Sequence, residues 1–329
     1  MFKKKLKFFT AFLCALLIAA SLFSTNAAAA APPLPSTDGA PTVYLWNAEH
    51  NKTVISKCES ETIYPASMTK IMTGLVAIDL IGDKLDEKVV VSAEMLRGSN
   101  GTSMQIAAGE LLSYRDLLYG AICGGFNDAT TALAVSSAGS LSQFVDKMNE
   151  KAKELGTLDT FYTNPTGWHD DAMVTTLADT VKIAKAAMKN ELYVTVSSAV
   201  SYTIEKTNMS DAFTVHNRNG LISSHYAYGY YNRRAKGLIA GMTDEGGYCV
   251  ATFAEYGGLT YLCIVMGAES VGQTIMSYKI ANSLISYAIS YFGEAEVIEK
   301  GETVAEIELE YAAVGGDGDG CFPVSHHHP

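Results

Sequence analysis

The order of the expected strands and helices restricts the fold of this chain more than any other feature. Alternating apolar residues predict an N-terminal hairpin, with strands at residues 42–47 and 52–56. Helical periodicity dominates the middle of the chain, strands return after residue 200, and a long helix at residues 271–292 closes the pattern. Strands on both sides of a helical insert indicate an α+β fold, in which helices flank an antiparallel sheet and a helical subdomain is inserted.

Local signals set the boundaries of the other elements. Ser113 is expected to cap one helix, and Asn127 or Asp128 to cap another that continues to Ala138. Two further helices are predicted at residues 141–155 and 176–188. The remaining strands are predicted at residues 89–91, 201–204, 213–215, 237–242, 247–255 and 259–268, and the last two are joined by the tight turn Tyr256-Gly257-Gly258.

The net charge and the N-terminal residues indicate a location and exclude one class of partner. The sequence has 24 Lys and Arg residues against 35 Asp and Glu residues, a formal net charge of -11, so nucleic acid is not an expected partner. Residues 1–31 combine a lysine-rich start, an apolar run and a small-residue end, which is typical of a secretory signal peptide. We therefore expect a secreted or extracytoplasmic protein, associated with the cell wall or membrane, with one large domain at residues 32–292.

The cysteines and histidines indicate neither a metal site nor a cofactor. Cysteines after residue 31 are scattered and odd in number, which favours buried free thiols over a disulfide framework. Residues 293–329 contain a strand-turn-strand pattern, a linker rich in Gly and Asp, and the histidines His326, His327 and His328. We interpret this part as the start of an incomplete β-rich segment followed by a tail. An oligomeric state is not indicated.

A serine and a lysine stand three residues apart where a helix is expected to begin. Ser67 and Lys70 belong to the segment YPASMTK at residues 64–70. Residues at positions i and i+3 of a helix are neighbours, with Cβ atoms about 5–6 Å apart, so the two side chains would face the same point. A lysine accepts the proton of a serine hydroxyl only if burial or a nearby cation lowers its pKa from about 10.4. An exposed helical turn is the alternative interpretation, because Ser-x-x-Lys also arises by chance.

Further short stretches occur in an order and spacing that resembles one family of enzymes. These stretches are residues 109–110, 116–120, 127–129, 148–149, 151–156, 164–167 and 243–249. Together with residues 65–70 they resemble the serine D-alanyl-D-alanine carboxypeptidases, which are low-molecular-mass penicillin-binding proteins of the β-lactamase/transpeptidase superfamily. The resemblance covers about residues 40–292. It implies a β-lactamase/transpeptidase-like fold and removal of the terminal D-alanine from peptidoglycan pentapeptides through an acyl-enzyme, with β-lactam antibiotics acylating the same serine.

The resemblance assigns the residues of the reaction and shows one of them to be replaced. By resemblance, Ser67 is the nucleophile, Lys70 is its base, and Asn127 holds the substrate amide. The family's second motif, Ser-x-Asn, reads Gly125-Phe126-Asn127 in this chain. The asparagine is present, but the serine that relays protons to the leaving group is glycine.

The family's third motif, Lys-Thr-Gly on the strand beside the nucleophile, is also altered. It reads Ile239-Ala240-Gly241 and is followed by Met242. The lysine and threonine that serve the terminal carboxylate of the substrate are therefore replaced. The backbone N–H of Met242 is still expected to form an oxyanion hole with that of Ser67, because a backbone donor does not depend on the side chain.

Neighbouring cations are poor replacements for the missing lysine. Side chains alternate along a strand, so Lys236 and Arg234 point away from the face of Ile239 unless Gly237 forms a bulge. Arg233 has the right parity but lies roughly 20 Å away along an extended strand. Rescue by one of these residues is therefore not the expectation.

Three other features have structural interpretations. His169 is expected to fix its loop by a hydrogen bond to backbone, and Cys123 to be a buried thiol. The aromatic stretch at residues 225–231 is interpreted as a packed loop, with a glycan-contacting surface as the alternative.

Two hypotheses about function follow. The first is a secreted serine-type D-Ala-D-Ala carboxypeptidase that is slow, because a lost charged contact costs about 1.5–3 kcal/mol and a lost proton relay about 10²–10⁴ in rate. The second is a catalytically inactive, wall-binding or regulatory protein that keeps the fold. A β-lactamase is a poorer third interpretation, because no deacylating glutamate is indicated.

Overall fold

A five-stranded antiparallel sheet organises residues 32–292, the part of the chain that the computed structural model describes. The strands are β1 (Thr42–Asn47), β2 (Lys52–Lys57), β3 (Lys88–Val90), β4 (Leu111–Ser113), β5 (Ser201–Ile204), β6 (Phe213–His216), β7 (Ala235–Thr243), β8 (Gly247–Tyr256), β9 (Leu259–Ala268), β10 (Ser270–Val271) and β11 (Thr274–Ile275). The sheet has the order β2-β1-β9-β8-β7, so β7 lies at one edge. The predicted signal peptide at residues 1–31 and the predicted C-terminal segment at residues 293–329 lie outside the described residues.

Helices cover both faces of this sheet. They are α1 (Thr69–Ile81), α2 (Tyr114–Leu118), α3 (Asn127–Ala138), α4 (Leu141–Glu154), α5 (Leu177–Met188), α6 (Glu191–Ser198) and α7 (Met276–Tyr291). One hydrophobic core lies between the sheet and α1 with the inserted helices, and a second lies between the sheet and α7. No helix within residues 32–292 combines the length and the apolar character needed to cross a bilayer.

The structure confirms the predicted fold class and most of the predicted elements. β1, β5 and β9 have the predicted bounds, and the other predicted strands agree within two residues at each end. Ser113 caps α2 as expected, because its hydroxyl accepts a hydrogen bond from the backbone N–H of Asp116. The short elements β4 and α6 are not predicted by the sequence pattern.

Two predicted helix starts are wrong. The closing helix begins at Met276 rather than at residue 271, because residues 270–275 form the hairpin of β10 and β11. α3 has Phe126 as its N-cap, which offers no side-chain hydrogen bond to the helix. The side chains of Asn127 and Asp128 instead bind the loop that precedes α2. In both cases tertiary contacts outweigh the local signal.

α1 is the central helix, and its burial fixes the turn that precedes it. Most of its residues are buried, Ile71 and Met72 completely. Such a helix, apolar on nearly every side, is stable only inside a core. A Cβ atom at Gly74 would lie 2.5 Å from the ring of Tyr193, so the absence of a side chain lets α6 pack closely against α1. The N-terminal end of α1 is therefore held in place by packing.

The burial of three cysteines agrees with the interpretation that they are unreactive thiols. Cys123, Cys249 and Cys263 are all buried. Burial raises the pKa of each of these thiols to about 12, so the reactive thiolate is scarce at neutral pH. Cys123 is therefore no competitor of Ser67 as a nucleophile.

The carboxylate of Asp128 attaches the loop at residues 103–106 to α3. It accepts hydrogen bonds from the backbone N–H groups of Met104 at 3.0 Å and Ile106 at 3.1 Å, and from the hydroxyl of Ser103 at 2.6 Å. Hydrogen bonds to a buried charged acceptor are the stronger kind. This carboxylate therefore determines where the loop beside the cleft lies.

Replacement of Asp128 by alanine is expected to lower the free energy of unfolding by about 3 kcal/mol, because buried N–H groups lose their acceptor. Urea denaturation measures this change. The control is Asp146→Ala, since Asp146 is exposed on α4 and its loss should change the free energy by less than about 0.5 kcal/mol. Equal effects of the two substitutions would contradict the role of Asp128.

Candidate active site

Ser67 lies in the 3-10 turn Ala66–Met68, where the chain enters α1. The backbone N–H of Met68 donates to Pro65 O at 3.0 Å, and Ala66 has a positive φ of 45°. Positive φ is uncommon for a residue with a side chain. Ala66 and Met68 are buried, whereas Ser67 is half-buried and lines an open cleft of about 610 Å³. The turn therefore presents the Ser67 hydroxyl to the cleft.

Two glycines let backbone approach this turn from opposite sides. A Cβ atom at Gly241, on the edge strand β7, would lie 2.3 Å from Ser67 Oγ. A Cβ atom at Gly167 would lie 1.9 Å from Ala66 O. No real Cβ atom tolerates either distance, so the turn fits only against glycine at both positions.

Lys70 is buried one helical turn after Ser67. It is 1% exposed, and its Nζ donates to Thr166 O at 2.6 Å. Burial, with a smaller contribution from the positive charge of Arg218, lowers the pKa of Lys70 to about 7. A substantial fraction of the amine is then neutral near pH 7 and able to accept a proton. Among the described residues Nζ bonds to Thr166 O and not to Ser67 Oγ, so direct contact of Lys70 with Ser67 stays a prediction.

The segment at residues 164–167 positions the carbonyl that holds Lys70. Asn164 Oδ1 accepts hydrogen bonds from Thr166 N at 3.1 Å, Thr166 Oγ1 at 2.8 Å and Gly167 N at 2.9 Å. The hydroxyl of Thr73, on α1, donates to Pro165 O at 2.6 Å. The Asn-Pro-Thr-Gly stretch is therefore a folded loop that is bound to α1 and directs Thr166 O at Lys70.

Asn127 lies at the start of α3 and lines the same cleft. Its backbone N–H donates to Thr102 O at 2.7 Å, and its side-chain Nδ2 donates to Asn100 O. Its Oδ1 is buried and has no hydrogen-bond partner among the described residues. A buried acceptor without a partner has a free-energy cost that a bound N–H donor would remove.

Gly125, which the sequence predicts to replace the family's relay serine, also lines the cleft. Its φ is +68°, a conformation that glycine adopts without strain. The hydroxyl of Thr102 donates to Gly125 O at 2.9 Å and also lines the cleft. Thr102 thus brings a hydroxyl beside the position that lacks one, and no pattern in the sequence indicates it.

The residues of β7 divide between the cleft and the core. Ala240, Gly241 and Met242 line the cleft, and Met242 is 42% exposed. Ile239 is 2% exposed and belongs to the core between the sheet and α1. Two of the residues that the sequence assigns to the site, Lys70 and Ile239, are buried and do not line the cleft. The others do, namely Ser67, Gly125, Asn127, Ala240, Gly241 and Met242.

The cations that the sequence places near β7 do not line the cleft. The pairing of β7 with β8 shifts between Lys236 and Ile239, so the irregularity considered at Gly237 is present. Even so, Lys236 Nζ forms an ion pair with Glu255. Arg234 stacks on the ring of Tyr256, with its Cζ 4.4 Å from the ring centroid. Neither Lys236 nor Arg234 therefore brings its positive charge to the cleft.

Arg218 lines the cleft and is absent from the residues that the sequence indicates. Its guanidinium Cζ lies 4.5 Å from the ring centroid of Tyr226. A Cβ atom at Gly125 would lie 3.5 Å from the Arg218 side chain. Arg218 belongs to the connection between β6 and β7, far from every motif, and its only sequence signal is a lone arginine between two asparagines.

Two structural interpretations drawn from the sequence need correction. His169 bonds to a carboxylate and not to backbone: its Nε2 lies 3.1 Å from Asp171 Oδ1. The stretch at residues 225–231 is only partly packed, because Tyr226, Tyr228 and Tyr231 are 42%, 90% and 59% exposed. Both features border the cleft or its rim, where side chains face solvent.

Comparison with known proteins agrees with this geometry. A family model described as D-alanyl-D-alanine carboxypeptidase matches residues 25–270. The crystal structure of the Streptomyces K15 DD-transpeptidase is similar with a TM-score of 0.69 and 28% identity, covering 79% of this chain and 100% of that chain. The Bacillus subtilis D-alanyl-D-alanine carboxypeptidase DacF is 28% identical over 81% of this chain and 66% of its own length. The Escherichia coli D-alanyl-D-alanine carboxypeptidase DacD is 28% identical over 90% of this chain and 76% of its own.

Replacement of Gly241 by alanine is expected to lower the rate at which a fluorescent penicillin labels Ser67 by at least about 100-fold, because the new Cβ displaces the hydroxyl. Time-resolved gel fluorescence measures the rate. The control is Gly257→Ala in the β8–β9 hairpin, where the positive φ of 61° makes alanine strained but no atom lies within 4 Å of the new Cβ, so the labelling rate should stay unchanged. Labelling of folded Gly241→Ala at the unmodified rate would contradict the close approach of β7 to Ser67.

Proposed function

The chain belongs to the D-alanyl-D-alanine carboxypeptidase family of serine peptidases, as its motifs predict, and from this premise we propose that it cleaves the terminal D-alanine of peptidoglycan stem peptides. The observation that carries the proposal is the buried Lys70, with its pKa lowered to about 7, one helical turn from a serine in an open cleft. A secreted or extracytoplasmic location at the cell wall is part of the proposal, because that is where this substrate lies.

In the proposed reaction Ser67 Oγ attacks the carbonyl carbon between the two D-alanine residues. Lys70 Nζ accepts the hydroxyl proton as the new C–O bond forms. The backbone N–H groups of Ser67 and Met242 stabilise the oxyanion, and Asn127 holds the substrate amide. The C–N bond then breaks, the proton passes to the leaving amine, and water hydrolyses the acyl-enzyme. The proximity of Ser67 to the edge strand supports the oxyanion hole, because it brings two backbone segments together.

We expect this reaction to be slow. The relay serine is Gly125, and the position of the carboxylate-binding lysine is filled by Ile239, which is buried in the core. Loss of a proton relay typically costs about 10²–10⁴ in rate. Thr102 lines the cleft beside Gly125, but its hydroxyl hydrogen is donated to Gly125 O.

The same two replacements support a second candidate function. A catalytically inactive protein that binds peptidoglycan or regulates wall synthesis would need the cleft but not the relay. Retention of both Ser67 and a Lys70 whose pKa is lowered to about 7 favours the enzyme, because such an amine can accept the proton of the serine hydroxyl.

A fluorescent penicillin is expected to label the protein, with mass spectrometry locating the adduct on Ser67, and Ser67→Ala is expected not to label. A pentapeptide ending in D-Ala-D-Ala is expected to release D-alanine slowly, measured with a coupled D-amino-acid oxidase assay. Labelling without release would favour the binding protein, and no labelling at saturating penicillin would exclude the serine peptidase.

The labelling rate is expected to rise about tenfold per pH unit up to about pH 7 and then to level off. The reason is that the pKa of Lys70 is lowered from 10.5 to about 7, so the neutral amine required of a base predominates above that pH. Initial labelling rates from pH 5.5 to pH 9 measure this profile. A rate that still rises tenfold between pH 8 and pH 9 would contradict the assignment of Lys70 as base.

A further inference from the structure

We propose that the loop at residues 225–231, beside the cleft, binds a glycan strand of peptidoglycan. Its contact surface consists of the side chains of Tyr226, Tyr228 and Tyr231, which we call the tyrosine surface. The proposal rests on the proposed function for the identity of the partner, because stem peptides are covalently attached to glycan strands. It adds a contact with the wall that takes no part in the chemistry at Ser67.

Three large aromatic side chains are exposed within a short stretch of this loop. Tyr226, Tyr228 and Tyr231 are 42%, 90% and 59% exposed. Single exposed apolar residues are common on protein surfaces, but a cluster of them marks an interaction site. Tyr226 also lines the cleft, so the tyrosine surface is continuous with the cleft. A partner bound there lies beside the peptide that the cleft holds.

The loop that carries these rings is held against the rest of the domain. Ala227 is 8% exposed, and a Cβ atom at Gly220 would lie 2.7 Å from its own Cβ. The hydroxyl of Tyr230 accepts a hydrogen bond from Ile275 N at 2.8 Å, and Tyr230 O accepts one from Asn282 Nδ2 at 2.7 Å. Residues 227 and 230 thus anchor the loop, and the three tyrosines beside them are left facing solvent.

The tyrosine surface is formed before any partner binds. Gly229 has a φ of +89°, which glycine adopts without strain, and turns the chain between Tyr228 and Tyr230. The Tyr226 ring lies under the guanidinium of Arg218, with Arg218 Cζ 4.5 Å from the ring centroid, and meets the His225 ring at 4.6 Å. Tyrosine has few side-chain torsions, so rings on an anchored loop lose little conformational freedom on binding.

The chemistry of the tyrosine surface fits a sugar. One face of a pyranose ring presents C–H groups that pack on an aromatic ring, and its edge presents hydroxyl and N-acetyl groups that hydrogen-bond with phenol hydroxyls. Residues 225–231 contain no Leu, Ile, Val, Met or Phe, the side chains that would anchor a loop in a membrane. Aromatic rings with polar edges, without aliphatic anchors, therefore favour a carbohydrate over a lipid surface.

The charge of this part of the chain also suits peptidoglycan. Residues 212–243 contain no Asp or Glu, although the whole chain has 35 of them and a formal net charge of -11. Arg233, which follows the loop, is exposed. Stem peptides carry carboxylates, so an acidic surface would repel the wall polymer. A stretch without acidic residues presents no such repulsion.

The experiment measures binding to glycan that carries no stem peptide. Peptidoglycan is treated with an amidase, which removes the stem peptides, and with a muramidase, which shortens the strands. Isothermal titration calorimetry then measures binding of the resulting oligosaccharides. Tyr228→Ala combined with Tyr231→Ala is expected to weaken binding at least about tenfold, because aromatic contacts are lost. Tyr228→Phe combined with Tyr231→Phe keeps the ring faces and should stay within about threefold of the unmodified protein.

The control is Tyr291→Ala, which removes an exposed tyrosine of α7 outside the cleft lining and should leave the affinity unchanged. Thermal melting reports whether each variant is folded. The proposal is overturned if the unmodified protein does not bind the oligosaccharides. It is overturned equally if the folded double alanine variant binds them as tightly as the unmodified protein, or if Tyr291→Ala weakens binding as much.

Two other occupants of the tyrosine surface are outcomes that would also overturn the proposal. One is a second copy of the chain, which analytical ultracentrifugation would show as a dimer that the double alanine variant does not form. The other is an anionic wall polymer, which would bind in place of the oligosaccharides and be released steeply by salt, as measured with poly(glycerol phosphate). The oligosaccharides contain no D-alanine, so a protein that fails the proposed function can still pass this test.

Discussion

The burial of Lys70 is the constraint on which the rest of the structure depends. An amine inside a core is stable only if its charge is lowered and its hydrogens are bonded. The packing around α1 lowers the pKa of the amine, and Thr166 O accepts one hydrogen bond from it. Asn164 and Thr73 hold the loop that carries Thr166 in position. The loop at residues 164–167 and α1 therefore form one structural unit. The Ser67 turn is enclosed between this unit and the edge strand β7.

In this protein, the features of the cleft that depend on backbone differ from those that depend on side chains in how far they match the family's motifs. The features that depend on backbone are retained: the 3-10 turn at Ser67, the glycine contact at Gly241, and the loop that holds Lys70. The sequence predicts that the features that depend on side chains, at Gly125 and Ile239, are replaced. A fold tolerates such replacements because an apolar residue at position 239 packs well in the core. Stability and chemical efficiency are thus set by different residues.

Positive charge in the cleft lining comes from Arg218, on the connection between β6 and β7. Arg218 reaches the site because the connection between β6 and β7 passes beside the turn that precedes α3. Lys236, on β7, is paired with Glu255, and Arg234, just before β7, stacks on Tyr256. One arginine therefore affects both the protonation of Lys70 and the electrostatic character of the cleft.

The sequence by itself determined the fold class and the family, because periodicity and motif spacing are local properties of the chain. It also predicted Ser67, Lys70, Asn127 and Gly241 as site residues. By resemblance, it predicted that the family's side chains are replaced at Gly125 and Ile239. Only the tertiary structure decided that Thr166 O is the partner of Lys70, that Ile239 lies in the core, and that Thr102 and Arg218 line the cleft. These contacts join residues far apart in sequence, and a single chain carries no periodic signal for them. The closing helix shows the same limit, since a short hairpin at residues 270–275 replaces the helical turn that the local pattern favours.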